Sequence, residues 1–228
     1  MTNADFTALY LRARGLSFQP YSALIDEELS PEYPLCFYEF LSGAKLCALA
    51  PGLEDAIAPI LRKRPKSYDD LLHFAFEPGA SSKKEEVLGY FGAKPASAEQ
   101  RSLVKLSSRH LPAIAGLRRA VSPREWALGG VDLRDAFCYG VIEDSQLVCA
   151  VGAELYGGLA EISVLTHPAH RGRQLAKQAV FELCCLIGQA GFVPLYRCEG
   201  DNEASIRTAQ SLGLTPAFRM TGGHVRYR

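Results

Sequence analysis

Apolar positions in this chain recur with two periods, and the stretch Gly158–Gly191, GLAEISVLTHPAHRGRQLAKQAVFELCCLIGQAG, holds both. Its first part alternates. Ile162, Val164 and Thr166 point one way and Glu161, Ser163 and Leu165 the other, which is a strand. Pro168 ends it. From near Gly172 the period lengthens to three and four, with Leu175, Ala176, Ala179, Val180, Leu183, Cys184 and Ile187 on one side, as expected of an amphipathic helix stopped by Gly191.

The same reading extends along the chain. Residues 1–98 form a first α/β region of unknown role. It has a helix at Ala4–Arg14 and a hairpin at Pro34–Ala50 turning at Ser42-Gly43. Leu53–Arg62 reads as a helix that Pro59 should kink or shorten. Ser67–Phe76 reads as another, with Ser67 and Asp70 placed as a weak capping box. The polar run Ser81–Glu86 reads as a loop or a helix start, and Lys94–Glu99 as the linker.

Residues 101–228 form a second region. Its expected elements are a strand at Leu103–Leu106, a helix at His110–Val121, and a Ser122–Glu125 cap with Pro123 in the first turn of a further segment. A hairpin follows around Asp144-Ser145. After the Gly158–Gly191 stretch comes a strand at Phe192–Cys198, parallel to the one before the long helix. Pro194 restricts that strand to an edge, a bulge or a splayed gap. Glycines 222 and 223 read as the turn of a last hairpin, Pro216–Met220 and His224–Arg228.

Composition narrows the class. The chain has 228 residues, 48% hydrophobic and 22% charged, with 25 basic and 25 acidic side chains, so a core of good size is available. Zero net charge argues against a dedicated nucleic-acid or anionic-membrane binder. No apolar run approaches the ~20 residues that span a bilayer. The first residues carry Asp5 and do not resemble a secretory signal, so the cytoplasm is the expected location. Seven cysteines, an odd number without a C-x-x-C pair, read as reduced core thiols. No histidine–cysteine spacing suits a metal.

The chemistry points to the turn before the long helix. The first N–H groups of a helix lack intrahelical partners, and the macrodipole adds positive charge there. Arg171, Arg173 and Lys177 surround that point, and Gly172 permits a close approach. A phosphate or pyrophosphate site and a merely basic, solvated helix end both fit these residues.

Arg171-Gly172-Arg173-Gln174-Leu175-Ala176 resembles the acyl-CoA signature of the GNAT acyltransferase superfamily, Arg or Gln, two of any kind, Gly, any, then Gly or Ala. Gln174 stands where that signature has glycine. A second stretch, DNEASIRTAQSLGL from Asp201 to Leu214, resembles the family's helix that opens with asparagine and ends in Leu-Gly-Phe, with Leu214 in place of phenylalanine. The resemblance covers residues 101–228. It implies a mixed, mostly antiparallel central sheet flanked by helices. It also implies an N-acyltransferase using acetyl-CoA and a primary amine acceptor, joined in a ternary complex. The departures leave a non-catalytic acyl-CoA-binding module as the alternative.

By that resemblance the backbone of Val164, Leu165 and Thr166 pairs with pantetheine. Arg171 through Lys177, including Leu175 and Ala176, hold the pyrophosphate, and Asn202 lies near the pantetheine arm. Many members carry an acidic tyrosine seven residues after that asparagine, where this chain has Ala209. Glu161 is the expected general base, against the simpler reading of a carboxylate paired with Arg197. Tyr196 is a further acid–base candidate, as are Glu199 and Asp201. The sequence does not specify the acceptor.

Overall fold

The structure is a computed structural model that describes residues 1–76, 80–92 and 103–226. The expected linker at Lys94–Glu99 lies outside the described residues. The elements in order are α1 (Asn3–Ala13), β1 (Tyr21–Ile25), β2 (Leu35–Phe40), β3 (Lys45–Leu49), α2 (Glu54–Lys63), α3 (Tyr68–Ala75) and β4 (Ser81–Phe91). There follow β5 (Val104–Lys105), α4 (Leu111–Ala120), α5 (Pro123–Gly129), β6 (Phe137–Glu143), β7 (Gln146–Tyr156) and β8 (Leu159–Thr166). Then come α6 (Leu175–Gln189), β9 (Val193–Glu199), α7 (Glu203–Ser211) and β10 (Thr215–Arg226). The fold is mixed α/β and mostly antiparallel, as expected. The β1–β3 and β8–β9 pairs are parallel, and β2–β3, β2–β10, β5–β6, β6–β7 and β7–β8 are antiparallel.

Residues cluster into two compact units: Met1–Gly89 with Cys198–Glu203 and Pro216–Arg228, and Tyr90–Arg197 with Ala204–Thr215. In the first unit the strands run β1-β3-β2-β10-β4. One core gathers Leu35, Phe37, Leu49, Ile60, Tyr68, Leu71 and Val225. Another is aromatic: the Tyr10 ring lies 5.4 Å from Phe40 and 5.3 Å from Phe218. Helix α1 opens on a Thr2–Asp5 capping box and closes with Gly15 at φ 74. Helix α2 runs through Pro59 to Lys63, and Ser67 caps α3 as expected.

Two expectations fail in this unit. Ser81–Glu86 is neither loop nor helix start but the first half of β4. Its side chains there are mostly exposed, so no apolar alternation marks the strand. Gly222 and Gly223 are not a turn; β10 passes straight through them. Gly222 pairs with Cys36 of β2. A Cβ on Gly222 would meet the Tyr33 hydroxyl at 2.4 Å, and one on Gly223 the Lys83 carbonyl oxygen at 2.4 Å. These glycines serve close approach, which sequence alone does not distinguish from a turn.

In the second unit the order is β9-β8-β7-β6-β5. Helices α4 and α5 cover one face through Leu106, Ile114, Leu117, Ala150 and Leu165, with Trp126 packed alongside. Arg118 sits 5.5 Å from the Trp126 ring centre. Asp144 and Ser145, at φ 46 and 65, turn the β6–β7 hairpin, and Gly157-Gly158, at φ 53 and 91, turn β7 into β8. Helices α6 and α7 end alike. Gly191 N–H donates to Gly188 and Phe192 N–H to Ile187, while Gly213 N–H donates to Gln210 and Leu214 N–H to Ala209. Both are Schellman closures around a left-handed glycine.

Candidate active site

Strand β8 carries the site. It pairs with β7 along its whole length, Tyr156↔Leu159 to Cys149↔Thr166. Its parallel register with β9 is shorter, from Leu159↔Val193 to Ile162↔Tyr196. Two bonds fix which backbone groups face which neighbour. His167 N–H donates to Val148, and Val193 N–H donates to Gly158. Backbone direction alternates along a strand, so odd-numbered residues of β8 bond β7 and even-numbered ones face the β9 side. Val164 and Thr166 therefore present their backbone groups on that side beyond the last β9 pair. Leu165 directs its own to β7, which separates it from the other two expected pantetheine partners.

Helix α5 runs along this open stretch. A Cβ on Gly129 would come within 2.4 Å of the Val164 carbonyl oxygen, so only glycine lets α5 lie so close. One turn earlier, Glu125 Oε1 accepts from Arg171 Nη2 at 2.6 Å, and Arg171 Nε donates to Thr166 O at 3.3 Å. Glu125 also closes the α5 capping box, accepting from Ser122 N at 2.8 Å. These donors hold its carboxyl down at about 2, the Ser122 backbone bond being the largest cause, followed by Arg171.

The turn after β8 reaches α6 later than expected. The helix begins at Leu175, not near Gly172, because Gly172 (φ 78) and Gln174 (φ 60, ψ 15) are both left-handed. Gln174 is the N-cap and makes no side-chain cap bond. The residue that replaces the signature glycine thus keeps a glycine-like backbone, so the turn survives the substitution. Leu175 is buried, while Ala176 and Lys177 are partly exposed. Arg173 donates to both oxygens of Glu143, at 2.8 and 3.0 Å, and to His170 Nδ1 at 2.7 Å. His167 Nδ1 accepts from Ala169 N–H, capping the short helical turn at Pro168–His170.

The acid–base candidates Glu161 and Tyr196 lie on opposite faces of the sheet. Glu161 Oε1 is paired with Arg197, and Oε2 accepts from Tyr156 at 3.3 Å. Tyr196 is only 3% exposed and lies opposite Ile162, on the sheet face away from Glu161. Ala209 is fully buried in α7. Asn202 directly precedes α7, and it falls in the first compact unit together with Glu199 and Asp201. Among the described residues no group of three or more His, Cys, Asp or Glu could hold a metal, and no helix is long and apolar enough to cross a membrane.

Sequence reasoning missed Gly129. Nothing in the sequence marks a glycine at the end of a short helix as a contact point with a strand more than thirty residues away.

Comparison with known proteins agrees with this geometry. Residues 133–221 match the family model of the GNAT acetyltransferases. A GNAT-family acetyltransferase structure from Novosphingobium aromaticivorans aligns with TM-score 0.51 and 26% identity, over 66% of this chain and 69% of that one. One from Colwellia psychrerythraea aligns with TM-score 0.58 and 16% identity, over 79% and 76%. No curated protein matches the chain. Residues 133–221 thus match the GNAT acetyltransferase family model, and the chain shares its fold with GNAT-family acetyltransferase structures.

Proposed function

We propose that the chain transfers an acyl group, acetyl in the simplest case, from acyl-CoA to a primary amine by direct attack in a ternary complex. The observation that carries this reading is the β8–turn–α6 unit. Its pairing with β9 ends at Ile162, and beyond Thr166 the backbone turns through two left-handed residues onto the α6 N-terminus. Val164 and Thr166 would receive the pantetheine amides. The N–H groups of the turn from Gly172 to Lys177 would receive the pyrophosphate, where the helix dipole favours an anion. Arg171 and Arg173 already hold carboxylates there, so the turn tolerates negative charge. A backbone N–H beside the thioester would stabilise the oxyanion of the tetrahedral intermediate.

Thermal unfolding with and without acetyl-CoA tests the cofactor half. At about 100 times its dissociation constant a ligand adds roughly 2.7 kcal/mol and raises the midpoint by several degrees. No shift at millimolar acetyl-CoA would remove the transferase reading. Free-thiol release with a panel of amines tests the transfer half. Binding without release to any amine would favour the acyl-CoA-binding module, the reading that Gln174 and Ala209 support.

A further inference from the structure

We infer that Glu125 is a positioning residue for the pantetheine arm: through Arg171 it pins helix α5 along the open backbone of β8 and fixes the spacing between them. The inference rests on the transferase reading above and gives a role to a side chain which that reading leaves aside.

Val164 and Thr166 turn their backbone groups to the β9 side beyond the last β9 pair, at Ile162. Helix α5 is held against both residues. At its last residue, Gly129, a Cβ would stand 2.4 Å from the Val164 carbonyl oxygen. Near its start, Arg171 bridges from Glu125 to the strand. Arg171 Nη2 donates to Glu125 Oε1 at 2.6 Å, and Arg171 Nε donates to the Thr166 carbonyl oxygen at 3.3 Å. One contact alone would leave the helix free to swing about it. Two contacts fix its distance from the strand, and they fall on the two residues that would receive pantetheine.

The two oxygens of Glu125 do separate work. Oε2 accepts from the N–H and the hydroxyl of Ser122, both at 2.8 Å, which closes the α5 capping box and orients the carboxylate. Oε1 then faces the arginine. Arg171 likewise gives a different nitrogen to each partner, Nη2 to the glutamate and Nε to the strand, as the rigid fork of a guanidinium allows.

On the other side of Gly172, Arg173 is braced in the same way by Glu143 of β6, at 2.8 and 3.0 Å. Both arginines flanking that glycine are thus directed at carboxylates of neighbouring elements, and the phosphates are left to the backbone N–H groups of the turn. Holding α5 and β8 at a set spacing before the ligand arrives removes part of the ordering cost from binding. If Glu125 instead competed with the phosphates for Arg171, its loss would tighten binding, so the two roles differ in sign.

The test is titration calorimetry with acetyl-CoA and with S-acetylpantetheine, which has the arm and the thioester but no phosphate, each run well below the thermal midpoint of the protein used. Glu125→Gln and Arg171→Gln are each expected to weaken both ligands by the same factor, about fivefold, the scale of one partly exposed ion pair. The double variant should bind no more weakly than either single one, since both remove the same contact. Ser122→Ala, which weakens the cap but leaves Oε1 on Arg171, should lower the urea midpoint and keep both affinities. Weakening of acetyl-CoA alone would overturn the inference, because Arg171 would then be serving the phosphates. So would unchanged or tighter binding in Glu125→Gln, or an equal loss in Ser122→Ala, the mark of a cap that only holds the helix together. S-acetylpantetheine that fails to bind a parent able to bind acetyl-CoA would overturn it too, since β8 would not be holding the arm. Failure of the parent to bind acetyl-CoA would instead remove the transferase reading itself.

Discussion

Gln174 shows how much one residue's backbone matters here. A non-glycine residue at φ 60 bears a steric penalty of roughly 1–2 kcal/mol. Gln174→Gly should relieve that penalty, less the extra unfolded-state freedom of glycine, for a net gain of about 0.5–1 kcal/mol in urea unfolding. If the turn is the pyrophosphate site, acetyl-CoA binding by calorimetry should hold or tighten. A loss of stability would mean that the glutamine side chain makes a contact worth more than the strain. Glu125 provides a pH test. Its folded value, about 2, is below its ordinary 4.5, so its bonds stabilise the fold fully above pH 4.5, and that contribution fades as pH falls toward 2. Parent and Glu125→Gln should therefore differ in urea midpoint at pH 6 and converge only as pH falls to about 2. The motif was legible in the sequence because its chemistry is local. The φ of Gln174 was not, since glutamine does not advertise a left-handed backbone.

Among the elements, those whose pattern is set by their own residues were the readable ones. Strand β8 alternates, α6 repeats at three and four, and Ser122 and Ser67 cap the helices they precede. Those decided by a distant neighbour were not. Strand β4 begins in SSKKEE, and its strand character comes from pairing rather than from an apolar face. Strand β10 contains two glycines that imitate a turn, and only the nearness of Tyr33 and Lys83 explains them. Gly223→Ala separates the two meanings. In a hairpin turn the methyl would face solvent. In the straight strand it would strike the Lys83 backbone, which cannot swing aside as a side chain can, so stability should fall by about 1–3 kcal/mol in urea. An unchanged midpoint would contradict the straight strand.

At the scale of the whole molecule, the sequence divides the chain by its linker, whereas contacts divide it by strand pairing. The resemblance to the acyltransferases runs to residue 228, yet Pro216–Arg228 clusters with the first unit. The cause is β10. It places Phe218 opposite Phe40 and Met220 opposite Tyr38 of β2, and Val225 joins the core of Leu35, Phe37 and Tyr68. A fragment of residues 101–228 would keep β10 and lose β2, leaving Phe218, Met220 and Val225, now 2–9% exposed, in water. An unpaired apolar strand is also a template for aggregation. We expect the fragment to be insoluble, or to bind a hydrophobic dye without a cooperative thermal transition, while the full chain unfolds cooperatively. An independent domain of that length would instead give a transition with an enthalpy of about 90 kcal/mol near 60 °C. Calorimetry of the fragment distinguishes the two cases: such a transition would restore a domain boundary near residue 100. Its absence would mean that the segment ending the acyltransferase resemblance folds only with the first hundred residues.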